Sequence, residues 1–333
     1  MNVDDMIQQS RGNRNKKLLL LGGLILVLVL AVIAVLYYFL HRQSITSALP
    51  GRATAPVYRS SLEGGLDWPL GVTVSPDGNT IYVVDSNNKV VKMFNPGGAQ
   101  AGTFGQRPAD KSADTAFSNP LYAAAASNGK VYVTDRSSAM VVVYDPATKQ
   151  TTRFNPQVDK AFTWSPLGIC VDKKDNIYVT DATKGTHRIL EFNSDGKLIL
   201  QFGKEGQNQG EFSFPNGITV GADGSIYVAD SNNSRVQVFD KTGKYKFSIG
   251  NGGGKAALGH PVGICFDVSG DLNVVDTFGH AVQVYDKNGK YLYKFGEYGT
   301  KNGQFQFPMG IAALNNSVYV VDREGKRVQI WQH

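Results

Sequence analysis

The sequence predicts an all-β fold, a six-bladed β-propeller, preceded by one transmembrane α-helix. Two series of residues predict the blades. A proline recurs at Pro69, Pro120, Pro166, Pro215, Pro261 and Pro308, and an aspartate keeps step at Asp85, Asp135, Asp181, Asp230, Asp276 and Asp322. The prolines are 51, 46, 49, 46 and 47 residues apart, a period that signals an array of supersecondary units. The helix is predicted by Leu18 to Leu40, 23 residues without a charge.

Residues 1–17 read as a tail carrying Arg11, Arg14, Lys16 and Lys17 just ahead of the apolar run. At 1.5 Å per residue that run reaches roughly 34 Å, enough to cross the hydrocarbon layer of a bilayer. A signal-peptide core is shorter, about 7 to 15 residues, although the small residues of "HRQSITSALPGRATAP" would also suit a peptidase. Only His41 and Arg42 follow closely, so the cation bias places the N-terminus in the cytoplasm and Tyr37, Tyr38 and Phe39 at the outer interface. Residues 18–40 are therefore read as a single-pass signal anchor in a cell membrane, 41–56 as a linker, and 57–333 as an extracytoplasmic propeller at the cell surface.

Each unit alternates short β-branched runs with turn chemistry, as in "GITV", "ADGS", "IYVAD", "SNNS", "RVQVFD", "KTGK" and "YKFSIG". Asp77-Gly78, Asp195-Gly196, Asp223-Gly224 and Asn288-Gly289 supply residues that tolerate positive φ. Four antiparallel strands repeated six times make a propeller. The last unit stops at "RVQIWQH" with three strands, and "PVYRSSLEGG" from Pro56 resembles the fourth strand of the fifth unit, "KYLYKFGEYG". A strand over 57–62 is thus expected to close the last blade and remove a free sheet edge.

The corner aspartate ends the second strand, where a short carboxylate accepts hydrogen bonds from turn N–H groups. On the first strand, large residues such as Ile169 and Val171 flank a small one; the small residues are Thr73, Ala124, Cys170, Thr219, Cys265 and Ala312. They point to opposite faces, so one blade offers bulk where its neighbour offers room. Cys170 and Cys265, the only cysteines, sit at the same repeat position two blades apart, too far for a disulfide, and are expected as buried free thiols.

The pattern of "GEFSFPNGITVGADGSIYVADSNNSRVQVFD" resembles the NHL-repeat family, with recognisable versions in blades 1, 3, 5 and 6; blade 2 departs, carrying Tyr122 where the others have glycine. The membrane topology resembles that of extracytoplasmic NHL sensors attached to bacterial serine/threonine kinases, which implies a bacterial binding propeller. Some six-bladed NHL propellers are peptidyl-hydroxyglycine lyases that hold zinc with three histidines on alternate blades. His187 and His280 align with two of those positions, and Lys89 stands at the third. Lactonase-type propellers hold calcium in the channel. Zinc and calcium are the alternatives to the expected absence of a cofactor, and a lyase or hydrolase is the alternative function.

Shared residues are accounted for by folding, so function is sought in what varies between blades. The rim formed by residues before the prolines and after the aspartates carries Trp68, Trp164, Phe214, Phe307, Lys89, Arg235 and Arg327. Aromatic and cationic groups on one face suit recognition of a protein, peptide or glycan. Residues 43–333 hold 29 Lys+Arg against 26 Asp+Glu, interleaved along the chain, so no nucleic-acid partner is expected. No GxSxG, HExxH or phosphate-loop motif occurs.

Overall fold

The computed structural model describes residues 29–32, 54–106, 115–159, 161–251 and 253–333. Of the apolar run only 29–32 are included, and these are helical; the rest of the expected anchor, the tail and most of the linker lie outside the described residues. No helix among the described residues is long and apolar enough to cross a membrane. The propeller occupies the unit Ala55–His333.

Six four-stranded antiparallel sheets form the blades. Every inner strand begins at one of the six prolines: Pro69–Val74, Pro120–Ala125, Pro166–Val171, Pro215–Val220, Pro261–Phe266 and Pro308–Leu314. Every second strand ends at one of the six aspartates, as in Ile81–Asp85 and Ile226–Asp230. Proline suits the first position of a strand because it has no N–H to donate there. Each inner strand packs against the inner strands of both neighbouring blades, and the sixth packs on the first, closing a ring.

The inner strands approach one another closely. A Cβ on Gly168 would overlap the Asn216 carbonyl of the next blade, and one on Gly310 would meet the Leu70 carbonyl. Alternation fills the spaces between blades as its two-residue period requires. Cys170 of blade 3 packs with Ile218 and Val220 of blade 4, Cys265 with Ile311 of blade 6, and Ala124 with Ile169 and Val171. Both cysteines are free and partly covered; burial pushes their thiols up, so they stay protonated near neutral pH.

The corner aspartates are 0–3% exposed. Their principal partners are not only the turn that follows but the loop that enters the same blade. Asp230 accepts the Ser213 N–H at 2.7 Å, Asp181 the Ser165 N–H at 2.8 Å, and Asp322 the Gln306 N–H at 2.7 Å. Four carry a buried cation: Lys92 on Asp85, Arg188 on Asp181, Arg235 on Asp230 and Arg327 on Asp322, all at 2.8–2.9 Å. Asp135 and Asp276 rely on neutral donors.

The sixth blade takes its outer strand, Val57–Leu62, from the other end of the propeller; it pairs antiparallel with Arg327–Gln332. Leu62 is 1% exposed within the cluster that joins blades 6 and 1, and Tyr58 meets Trp331 edge-on at 6.1 Å. Leu62→Ala should therefore lower unfolding stability by about 2–4 kcal/mol in urea denaturation; an unchanged midpoint would show that this strand does not hold the ring. Asp230→Ala strands Arg235 without its carboxylate and should cost about 3–5 kcal/mol. Asp135→Ala, which leaves no buried cation behind, should cost less, about 1–3 kcal/mol. Equal losses in the two variants would remove the ion pair from this account.

Candidate functional site

Three rings of six residues define one mouth of the central channel, all placed by the repeat. The residues after the prolines are Leu70, Leu121, Leu167, Asn216, Val262 and Met309. Leu70, Leu121, Leu167 and Val262 belong to one apolar cluster with Met309 packed against it, which five blades can share only at the axis. Tyr122 joins them, its side chain filling the space the other blades leave to glycine. The channel that remains holds about 40 Å³, room for a few waters at most.

The second ring stands before the prolines: Trp68, Asn119, Ser165, Phe214, His260 and Phe307. Trp68, Phe214 and Phe307 adopt left-handed backbone, with φ of 57°, 52° and 56°, a conformation that costs an L-residue roughly 1–2 kcal/mol. Two bonds on either side hold it. Trp68 and Phe214 accept, through their carbonyls, the N–H of the residue after the corner aspartate, Ser86 and Ser231, while the aspartates accept the preceding Asp67 and Ser213 N–H groups. The third ring follows the aspartates: Ser86, Arg136, Ala182, Ser231, Thr277 and Arg323.

Over blades 5, 6 and 1 these rings and the turns beside them carry an arc of aromatic and cationic groups. His260 stacks on Phe278 at 4.6 Å and 20°. His280 meets Tyr298 at 4.8 Å and Phe307 at 4.7 Å. The Arg323 guanidinium lies 5.2 Å from the Phe307 ring and 4.4 Å from that of Trp68, within cation–π range. Phe278 and Tyr298 are 63% exposed and Trp68 38%. A second group lies on the far side of the mouth, where Phe214 meets His187 at 5.2 Å and Arg136 at 5.6 Å.

The rim residues expected from sequence thus separate. Trp68, Phe214, Phe307 and Lys89 lie at the surface or half-buried there. Trp164 lies inside instead, packed edge-on to Phe192 at 6.0 Å with its indole N–H donating to the Ala139 carbonyl at 2.7 Å. Arg235 and Arg327 also lie inside, each 8% exposed. Each faces the corner aspartate across the hairpin, Asp230 opposite Arg235 and Asp322 opposite Arg327, so the guanidinium folds back onto the carboxylate. Sequence reasoning missed Phe278, Tyr298 and Arg323. Phe278 had a signal, since the other blades place Asn87, Ser137, Thr183, Asn232 and Glu324 at its turn position.

Lys89, His187 and His280 all close their turns in left-handed backbone, with φ of 56°, 29° and 50°. His187 is 2% exposed, and its Nδ1 faces the Phe212 carbonyl at 3.1 Å, so Nδ1 carries the proton. In His280 the roles reverse: Nδ1 accepts the Phe307 N–H at 3.2 Å, which leaves the proton of the neutral ring on Nε2 and no lone pair for a metal there. Among the described residues no three His, Cys, Asp or Glu side chains are grouped as metal ligands. This donor set does not fit a three-histidine zinc site, and the channel lining includes no carboxylate of the kind calcium sites use.

The NHL repeat family matches residues 163–192 and 212–239, in blades 3 and 4. NHL repeat-containing protein 3 of Homo sapiens is 31% identical over 109 residues, 32% of this chain and 30% of that protein. Protein brain tumor of Drosophila melanogaster is 47% identical over 53 residues, 16% of this chain and 5% of that one. The chain therefore spans less than a third of the length of these curated relatives. Among solved structures, virginiamycin B lyase from Staphylococcus aureus superposes with a TM-score of 0.58 at 17% identity, covering 82% of this chain and 98% of that one, a likeness of fold alone. With its six prolines, six aspartates and closed ring of four-stranded blades, the chain is a six-bladed β-propeller that carries NHL repeats in blades 3 and 4.

Proposed function

We propose that this propeller is a binding module, held at a membrane by residues 18–40, that presents the arc over blades 5, 6 and 1 outside the cytoplasm to a protein, peptide or glycan. The observation that carries the reading is the exposure of Phe278 and Tyr298, at 63% each, in contact with histidines on a rigid rim. Large rings left in water on a scaffold that buries most of its other aromatic groups are the material of interface anchors. Rigid side chains with two torsions lose little conformational entropy on binding, which favours Tyr, Phe and Trp in this role. The membrane part of the proposal is supported by the 23 uncharged residues and the four cations ahead of them.

The full chain, tagged at His333 and used as bait in membrane extracts, should retain a partner that Phe278→Ala and Tyr298→Ala release, each substitution weakening binding by about 30-fold, the equivalent of about 2 kcal/mol. Val268, 61% exposed in the opposite-face turn between Pro261–Phe266 and Leu272–Asp276, is the control: Val268→Ala should leave retention unchanged. Retention unaffected by either rim substitution would overturn the proposal. For the topology, protease added to intact cells should remove a tag at His333 and spare one at Met1, and protection of the C-terminal tag would reverse the orientation.

A further inference from the structure

We infer that the channel mouth binds a carboxylate, presented by an acidic peptide segment of the partner. The inference rests on the binding reading above and names the chemistry recognised at its centre. Of the eighteen positions in the three rings, two are arginine, Arg136 and Arg323, and none is Asp or Glu. Both arginines sit immediately after a corner aspartate. At that position Ser86, Ser231 and Thr277 donate their hydroxyls to the Pro120, Pro261 and Pro308 carbonyls of the next blade, at 2.5–2.8 Å. A side chain there accordingly lies over the start of the inner strands, and an arginine projects beyond it toward the mouth.

The donors of these two guanidinium groups are incompletely used. The Nε of Arg323 is buried without a hydrogen-bond partner, and its Nη2 reaches only Glu324, at 3.2 Å. Arg136 bonds Ser165 Oγ through Nε at 3.1 Å and has no carboxylate partner among the described residues. The structural arginines differ: Arg235 donates to Asp230 and to the Asn208 and Glu211 carbonyls. A buried N–H without an acceptor costs about as much as a lost hydrogen bond, and a carboxylate is the acceptor that a guanidinium fork fits best. Beneath lies Tyr122. Burial pushes its phenol up, with the Arg323 charge pulling the other way, so the hydroxyl stays protonated and able to donate.

The surroundings favour a peptide over a polyanion. With about 40 Å³ of space below the mouth, only a small group can enter, and the ligand's body must lie on the rim. There the exposed acids Glu205, Glu297 and Glu324, with the half-buried Asp67, would repel a chain of phosphates laid across the face. A single carboxylate flanked by apolar side chains avoids them and meets the aromatic arc.

A random twelve-residue peptide display library panned against the full chain in detergent micelles tests this. Recovered peptides should be enriched in Asp or Glu, and replacing those residues with Asn or Gln in synthetic peptides should weaken binding at least tenfold, a result that needs no protein variant. Arg136→Gln with Arg323→Gln should produce a similar loss, and Arg136→Gln alone a smaller one. Recovery of peptides without acidic residues, or of none above an unrelated control chain, would overturn the inference; tighter binding of a uridylate dodecamer than of any acidic peptide would do the same. Peptides that lack acids yet are lost on Phe278→Ala would refute the carboxylate site while leaving the rim reading intact.

Discussion

One carboxylate per blade, buried with its charge or its hydrogen bonds satisfied, governs where everything on the mouth face can lie. The aspartate that ends each second strand reaches out of its hairpin to the N–H groups of the loop coming in from the previous blade: Asp67, Ser118, Ser165, Ser213, Gly259 and Gln306. In five blades the residue after it returns a bond to the carbonyl of the pre-proline residue, from Ser86, Arg136, Ala182, Ser231 and Thr277. Loop and turn are thereby tied in both directions. A buried carboxylate without these donors would carry a desolvation cost of several kcal/mol, so the loop is not free to move away. The pre-proline ring inherits this rigidity, which is why Trp68 and Phe214 can be held in left-handed backbone; in blade 6 Phe307 is held by its own N–H on His280 Nδ1 and the Gln306 N–H on Asp322.

The same close construction leaves little open space at the axis. Inner strands packed so tightly that Gly168 and Gly310 leave no room for a Cβ draw leucine, valine and methionine from five blades into one cluster at the axis. The channel that survives holds about 40 Å³ and has no cluster of ligating side chains among the described residues. Variation between blades is therefore expressed upward, on the turn that follows the aspartate and the loop that precedes the proline, where a residue can change without disturbing the ring.

Much of the scaffold was legible because its punctuation is geometric. Proline begins an inner strand and aspartate ends a second strand in all six blades, and both residue types are confined to such positions by their backbone chemistry. Depth along a side chain is a different matter. Trp164 and Trp68 lie in equivalent loops but one step apart, two residues and one residue before the blade proline, and Trp164 turns inward to Phe192 while Trp68 lies under Arg323. Tyr298 falls in a loop between blades whose length and composition vary, so alignment could not place it. Arg323 was legible in principle: only it and Arg136 are charged among the six residues that follow the corner aspartates.

For the arginines, distance from the aspartate decides the role. Five residues on, Arg235 and Arg327 stand opposite Asp230 and Asp322 in the hairpin; in the longer turn of blade 3, Arg188 takes the same place opposite Asp181. Lys92, on the same strand of blade 1 two residues further, still reaches Asp85 at 2.9 Å. These cations face a carboxylate that is already buried and complete its shell. Immediately after the aspartate the chain has left the sheet, and the side chain points over the inner strands rather than back along the hairpin. A guanidinium there finds aromatic faces, Trp68 and Phe307 for Arg323 and Phe214 for Arg136, which attract its charge without satisfying its N–H groups. Identical side chains thus become scaffold or surface according to register, and the mouth arginines are not drawn onto the aspartates before them because those are already satisfied, Asp322 by Arg327 and Asp135 by backbone N–H groups.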